Sequence, residues 1–326
     1  MNAGSGFARL AAAAAAFAFF VAVFGAFVRL SNAGLSCPDW PTCYGSVTWP
    51  DEPHEIDAAN AAFPERAVEV GKAWREQVHR FLAGALIVAT FTLAIWGYRR
   101  RREPGQPWKV PIAAALLIVF QALLGMWTVT WKLKPIVVMA HLLGGFATFA
   151  LLVWIAVRAS AHRAYDLPRA MLVAGLVLLA LQVALGGWTS ANYAALACGA
   201  EYPKCLGAWW PSTDFREGFV LWRGIGVDYE GGVLDAPART AIHLAHRWFA
   251  LLVAGHLLAL GIAAAKRGAR LLGWALAAGV AAQVALGIAN VVLGLPLAVA
   301  SAHHALAAVL VALTVALIAR SGGVRS

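Results

Sequence analysis

The chain has 326 residues, of which 61% are hydrophobic and only 13% are charged. Soluble globular proteins contain about 45 to 50% apolar and about 25% charged residues, so this composition predicts a membrane protein. It excludes a disordered chain, a collagen-like repeat and a disulfide-dense miniprotein, because Pro and Gly are scattered and only four cysteines are present. The net charge of +10 does not indicate nucleic-acid binding, since the surplus of positive charge can be assigned to one side of a bilayer.

Long apolar runs recur along the whole chain. A hydrocarbon core of about 30 Å needs about 20 apolar residues in a helix. The sequence therefore predicts an all-α membrane protein with eight transmembrane helices: 10–28, 78–98, 110–130, 136–157, 170–190, 242–265, 271–293 and 297–319. The first run is too long for the apolar region of a secretory signal, so we expect it to remain as a helix.

The distribution of charge predicts the orientation. The side that holds both termini carries fourteen Lys and Arg residues against two acidic residues, Glu103 and Asp166. The other side carries twelve basic and fourteen acidic residues. Because positive charge is retained on the cytoplasmic face, both termini are predicted to be cytoplasmic. The two long segments 30–77 and 191–241 are then predicted to lie on the periplasmic side.

These two long segments contain all the cysteines. Cys37 and Cys43 are six residues apart in the first, and Cys198 and Cys205 are seven apart in the second. An oxidising compartment fits this pattern, and we expect two disulfides that order the loops. A redox-active role for the pairs is the alternative.

The first four predicted helices resemble the next four, which predicts an internal duplication. Matching features follow in the same order: the cysteine pairs, Trp49-Pro50 and Trp210-Pro211, Gln121 and Gln283, and the histidines discussed below. With four helices per half, both halves start on the same side. We therefore expect two tandem, parallel-repeated four-helix bundles, in domains 1–158 and 159–326. The inverted repeat and broken helices typical of secondary transporters are not indicated.

Four of the nine histidines occupy matching positions, each within about two turns of the outer end of its helix: His79, His141, His246 and His303. In each half the two helices that carry them run in the same direction, so the imidazoles can face each other. A facing pair of imidazoles can supply both axial ligands of a haem iron. A hydrogen-bonded polar residue is the alternative for one intramembrane histidine, but two matching pairs favour two haem sites. Zinc is less favoured, because it prefers four tetrahedral ligands.

The other histidines are assigned to different roles. His54 and His162 fall in loops, where a solvated position is expected. His304 competes with His303, but the match between Ala302-His303 and Ala140-His141 favours His303 as the ligand. His243 precedes His246 by one turn and could support it, whereas a hydrogen-bonded packing role is expected for His256.

Charged residues beside the histidines differ between the halves. Glu76 precedes His79 by three residues and shares its helix face, whereas His243 stands at the matching place in the second half. A carboxylate beside a haem edge can move protons or stabilise a developing cation; an ordinary first-turn glutamate is the alternative. At the outer helix ends, three arginines are candidates for binding haem propionates, with interfacial snorkelling as the alternative: Arg29, Arg80 and Arg247.

A resemblance to the haem A synthase family of bacteria and mitochondria is carried by two stretches: Arg29-Leu-Ser-Asn-Ala-Gly-Leu-Ser-Cys37-Pro-Asp-Trp-Pro-Thr-Cys43-Tyr-Gly and Glu76-Gln-Val-His79-Arg80. The likeness spans all eight predicted helices. The Gly-Leu-Ser-Cys-Pro-Asp-Trp-Pro segment is highly specific, whereas Glu-x-x-His-Arg alone would be a weak signal.

The resemblance implies an oxidoreductase that converts a ring methyl group of haem O to a formyl group, giving haem A for terminal oxidases. It implies that His79 and His141 hold the substrate haem O, and that His246 and His303 hold a resident haem b. Glu76 matches the essential acid of the family. The methyl oxidation is implied to pass through two hydroxylation stages. Cysteine pairs in both halves depart from relatives that keep one pair or none, which disfavours a universal catalytic role for cysteine.

The resemblance also implies the partners and the location. A haem O synthase would supply the substrate, terminal oxidase assembly would receive the product, and the electron-transfer partner is not identified. The protein would reside in the bacterial cytoplasmic (inner) membrane, with the cysteine loops on the periplasmic side. A homo-oligomer is left open, and nucleic acid is not expected. The rival interpretations are a two-haem cytochrome b that only transfers electrons, and a disulfide-generating relay.

Overall fold

The structure is a computed structural model, and it describes residues 3–160 and 164–321. This part contains ten α-helices and no β-strand: α1 (Ala3–Leu30), α2 (Pro53–Ala62), α3 (Val70–Arg99), α4 (Lys109–Thr130), α5 (Pro135–Ala159), α6 (Arg169–Ala191), α7 (Phe215–Gly218), α8 (Ala236–Lys266), α9 (Arg270–Val292) and α10 (Leu297–Arg320). All except α2 and α7 are long and apolar enough to cross a membrane. The predicted all-α fold with eight membrane-spanning helices is confirmed; His162 lies outside the described residues.

Three helices begin six to eight residues before the apolar runs that predicted them: α1 at Ala3, α3 at Val70 and α8 at Ala236. Each extension contains at least one charged residue, which ends the apolar run in the sequence but not the helix. The start of α8 is capped by Asp235, whose side chain accepts a hydrogen bond from the Ala238 N–H. The extension of α3 contains Glu76, so a helix rather than a flexible loop positions this carboxylate.

The membrane helices of the first half form a ring in the order α1, α3, α4, α5, in which each helix packs along two neighbours. In the described part of the chain, α3 and α5 occupy opposite corners and do not pack along each other. The helices of the second half follow the same pattern, in the order α6, α8, α9, α10, with α8 and α10 at opposite corners. The space between opposite helices is where bundles hold cofactors.

The two rings share one side. α1 and α5 of the first ring pack against α10, and α5 also packs against α6. The apolar core continues through both rings and includes five fully buried side chains: Ala11, Leu152, Ile155, Leu172 and Leu317. Burial of such side chains stabilises the contact between the rings by dispersion as well as by small-residue packing. The tandem duplication and the domain division at residue 158 stay predictions.

The long outer segments fold over the ends of the rings and contact each other. Arg66, in the first segment, forms an ion pair at 2.8 Å with Glu230 in the second. Lys134, between α4 and α5, is buried with its Nζ 3.3 Å from the ring centroid of Trp222. Burial lowers the pKa of Lys134, and the indole face compensates for part of the lost hydration. These contacts fix the second segment against the first half.

The opposite end of the rings is closed by short connections. The Tyr165 N–H donates to the Arg320 carbonyl at 2.9 Å, and Arg158 donates to the Ala319 carbonyl at 3.4 Å. The connection between the halves therefore lies beside the end of α10. The assignment of this end to the cytoplasm stays a prediction.

Candidate active site

The first pair of histidines lies across the first ring, with His79 on α3 and His141 on α5. Both side chains are half-buried, and their helices occupy opposite corners of the ring. Within the described residues, the Nδ1 atom of each imidazole is buried without a hydrogen-bond partner. Buried polar atoms normally have partners, so these unpaired nitrogens mark a place where a ligand can act on the rings.

The second pair has the same arrangement, with His246 on α8 and His303 on α10, at opposite corners of the second ring. The neighbouring His304 has a different environment. Its ring packs edge-on against Phe146 of α5, at 5.2 Å between centroids, and it hydrogen-bonds to the backbone of Ala22 in α1. The helical turn thus directs His304 toward the first ring, which favours His303 as the member of the pair.

A glycine of the preceding membrane helix lies against each of the four imidazoles. A Cβ placed on that glycine would lie only 2.7 to 3.4 Å from the imidazole Cε1: His79 lies against Gly25, His141 against Gly125, His246 against Gly186 and His303 against Gly287. We call these four glycines the glycine notches. A Cβ would crowd the ring at Gly25, Gly186 and Gly287, most severely at Gly25, whereas at Gly125 it would make an ordinary van der Waals contact.

Both pairs fit a haem. Two imidazoles on opposite helices are a donor set that could hold a haem iron, and the Nδ1 atoms of His79, His141 and His303 are buried without a partner in the described structure. Across the described ranges, no cluster of three or more His, Cys, Asp and Glu side chains is arranged to hold a metal ion. Each half thus offers two imidazoles rather than the tetrahedral set that zinc prefers.

Glu76 is almost fully buried, at 5% exposure, and its carboxylate joins α3 to the first outer segment. Its Oε2 accepts hydrogen bonds from the Ser36 hydroxyl at 3.0 Å and the Cys37 N–H at 2.9 Å. Its Oε1 accepts a hydrogen bond from Arg80 at 2.6 Å. The carboxylate is therefore held rigidly, one helical turn from His79.

In the second half, His243 rather than a carboxylate stands at the position that corresponds to Glu76. His243 is buried at 4% exposure, and its Nδ1 donates to the carbonyl of Ala194 at 2.8 Å. His243 thus donates a hydrogen bond to the second outer segment, whereas Glu76 accepts hydrogen bonds from the first. Among the residues that the structure describes, a carboxylate therefore stands one turn before the histidine in the first half and not in the second.

Both outer segments contain the predicted disulfides, Cys37 with Cys43 and Cys198 with Cys205, and all four cysteines are fully buried. The second cysteine of each pair forms an isolated backbone bridge with the residue three positions later. The Cys37 N–H is the one that donates to Glu76, so the first disulfide loop touches the candidate acid directly. A structural or a redox-active role for the pairs stays open.

Two of the predicted propionate-binding arginines contact the disulfide loops. Arg80 donates to the backbone carbonyl of Thr42 at 2.6 Å, and Arg247 donates to that of Glu201 at 2.9 Å. Arg29 donates to the Ser190 carbonyl at 2.9 Å and so links the two halves. The Nε atoms of Arg29 and Arg247 are buried without a partner in the described structure. Propionate binding by these arginines stays a prediction.

The remaining histidines lie away from the pairs. His54 is exposed in α2. His256 lies deep in α8 and hydrogen-bonds to the Met171 carbonyl at 2.9 Å, the packing role expected of it. Sequence reasoning missed the glycine notches and the two loop donors to Glu76. The spacing Gln-x-x-x-Gly in α4, α6 and α9 was the available signal for three of the notches.

Comparisons with known proteins identify the family of the chain. Residues 8–315 match the family described as Cytochrome oxidase assembly protein. The chain is 43% identical over 302 residues to the Heme A synthase of Shewanella oneidensis, covering 90% of each chain. It is 30% identical to the Heme A synthase of Rhizorhabdus wittichii, covering 90% of this chain and 88% of the relative.

The chain belongs to the haem A synthase family. Membership agrees with the eight membrane-spanning helices, and it makes the chain a multi-pass inner-membrane protein and an oxidoreductase. The match covers both rings, so both histidine pairs lie inside the family region.

Gly25 is the tightest of the four notches, which gives a direct test in this member of the haem A synthase family. A Cβ there would lie 2.7 Å from the His79 Cε1 and 3.0 Å from its Nε2. We expect Gly25→Ala to displace His79 and to remove about one of the two porphyrins bound per chain, measured as pyridine haemochrome per protein. Gly84→Ala is the matched control, because a Cβ there meets nothing within 4 Å. Equal porphyrin content in the two variants would contradict a ligand role for His79.

Proposed function

We propose that the chain is a haem A synthase that oxidises a ring methyl group of haem O to a formyl group. His79 and His141 bind the substrate haem O, and His246 and His303 bind a resident haem b. The observation that carries this assignment is the difference between the halves. A buried carboxylate stands one turn from the histidine pair in the first half, and a buried histidine stands there in the second.

Glu76 is the catalytic residue of this proposal. Its position is fixed by Ser36, Cys37 and Arg80, so the carboxylate meets the substrate without reorganising. A fixed carboxylate at the edge of the porphyrin stabilises positive charge that develops on the carbon being oxidised, and it accepts a proton from the attacking oxygen. His243, at the matching place, has no negative charge to stabilise a developing cation when its neutral imidazole donates to the Ala194 carbonyl.

The second half supplies electron transfer. A haem bound there would supply a one-electron carrier. His246 and His303 would hold it, on helices that pack through α10 against the first ring. Arg29 and Arg247 are the propionate partners of the proposal, since each has a buried Nε without a partner in the described residues.

The alternative function is a cytochrome b that holds two permanent haems and only transfers electrons. The similar environment of the two histidine pairs favours it. It does not account for a buried carboxylate beside one pair only. The two functions differ in a measurable way, because a synthase holds one resident haem and one exchangeable porphyrin.

The test is extraction of pigments from protein purified from cells that also make haem O. We expect wild type to release haem b together with haem O and haem A, which chromatography separates. His79→Ala should retain haem b and lose the other two, whereas His246→Ala should lose haem b. Arg29→Gln, analysed in the same way, reports on propionate binding. Two equivalents of haem b in wild type, with no haem O or haem A, would establish the cytochrome instead.

The proposed function also predicts the side of the membrane on which the disulfide loops lie and the partners of the reaction. The disulfide loops lie on the periplasmic side, a haem O synthase provides the substrate, and terminal oxidase assembly consumes haem A. An electron-transfer partner is required to remove electrons from the methyl group, and its identity and a homo-oligomeric state stay open.

A further inference from the structure

A glutamine precedes three of the four glycine notches by one helical turn. Its Nε2 donates to the backbone carbonyl of the histidine that the notch receives: Gln121 to His141 at 2.7 Å, Gln182 to His246 at 3.1 Å and Gln283 to His303 at 3.1 Å. The same side chain and the same contact thus recur on α4, α6 and α9. Such a bond holds the turn of helix that carries the imidazole.

Two of these glutamines also reach the imidazole itself. The Nε2 of Gln182 lies 3.1 Å from the His246 Nδ1, and that of Gln283 lies 3.3 Å from the His303 Nε2. In all three glutamines the Oε1 is buried and has no partner among the described residues. Partners that contact a ligating histidine from outside the metal site fix the orientation of its ring, and here the partner atom is the amide nitrogen of the glutamine.

The fourth notch is different. Gly25 is preceded at the same spacing by Val21, a buried residue that can neither donate nor accept a hydrogen bond. The ring of His79 is also turned differently. Measured from the Cβ position of Gly25, its nearer nitrogen is Nε2, at 3.0 Å, whereas Nδ1 is the nearer nitrogen at the other three notches.

We propose that Gln121, Gln182 and Gln283 are positioning residues that fix three of the four histidines for iron. Val21 stands where the other three notches have a glutamine, and its side chain cannot donate a hydrogen bond to the backbone of His79. We therefore assign His79 as the exchangeable ligand of the protein. This inference rests on the proposed function, since it assigns the weaker site to the substrate. A substrate porphyrin must enter and a product must leave, whereas a resident haem must stay. The chain achieves this difference in porphyrin retention because position 21 lacks the glutamine side chain that the other three notches have.

The experiment uses the full-length protein in detergent, loaded with protohaem, and measures transfer of haem to excess apomyoglobin. Wild type should show a fast phase from the first half and a slow phase from the second. Val21→Gln should slow only the fast phase, by about tenfold, and Val21→Leu is the matched control without an amide. Gln283→Leu should accelerate only the slow phase, by about tenfold or more, and should perturb the bis-imidazole signal in electron paramagnetic resonance.

The outcomes separate the two proposals. His79→Ala should abolish the fast phase, and an unchanged fast phase in that variant would overturn the proposed function. A lost fast phase in His79→Ala, combined with normal kinetics in both Val21→Gln and Gln283→Leu, would overturn the positioning role alone. Equal acceleration of both phases by Gln283→Leu would also overturn it, because a general loosening of the fold is not selective. Gln283→Leu keeps the test decisive if Val21→Gln does not fold.

Discussion

Replacement of Glu76 by glutamine is expected to lower haem A formation by about 100-fold or more, with haem O or a hydroxylated intermediate accumulating instead. The neutral amide cannot stabilise positive charge on the porphyrin edge. It also places an NH2 group or a weaker acceptor opposite Arg80, which now donates to the carboxylate at 2.6 Å. The measurement is chromatography of the haems extracted from cells that make haem O, together with the haem b content of the purified variant.

Ser36→Ala is the matched control for this variant. It removes one donor to the Glu76 Oε2 but keeps the negative charge and the bonds from Cys37 and Arg80. We expect a loss of about tenfold or less in haem A formation, because one neutral hydrogen bond contributes little compared with a charge. Both variants should retain haem b, since the second pair is on other helices. An active Glu76→Gln enzyme would remove the role assigned to the carboxylate and leave the fold unaffected.

The membrane helices were predictable because hydropathy is a local property, read over about 20 residues at a time. The order of the helices in the ring agrees with the predicted positions of His79 and His141, since α3 and α5 occupy opposite corners of one ring. The pairing of the two imidazoles around one iron stays a prediction.

The environment of Glu76 could not be predicted in the same way. Its partners Ser36 and Cys37 are about 40 residues earlier in the chain, and the contact depends on how the outer segment folds over α3. A hydropathy scan does not predict the polar extension of α3 either, because this extension is stabilised by packing against the same outer segment. The two short helices α2 and α7 likewise have no membrane signal.

The choice between His303 and His304 is a case in which sequence and structure give different kinds of information. The sequence favoured His303 only through an alignment of Ala-His pairs. The structure adds that Gly287 and Gln283 contact His303, while His304 packs on Phe146 of the other ring. Adjacent residues of a helix point about 100° apart, so only one of the two can face His246.

His303→Ala is accordingly expected to eliminate the resident haem b, lowering its occupancy to below about one tenth of wild type, because a single imidazole does not hold the iron as two do. His304→Ala should retain haem b and its bis-imidazole spectrum. It should lower thermal stability instead, since it leaves a cavity against Phe146 between the rings. Reduced-minus-oxidised difference spectra and thermal unfolding of the two purified variants check both expectations. Loss of haem b in His304→Ala with retention in His303→Ala would reverse the assignment. The axial ligand would then come from the face of α10 that packs on the first ring, and the second site would have to open toward α1 and α5.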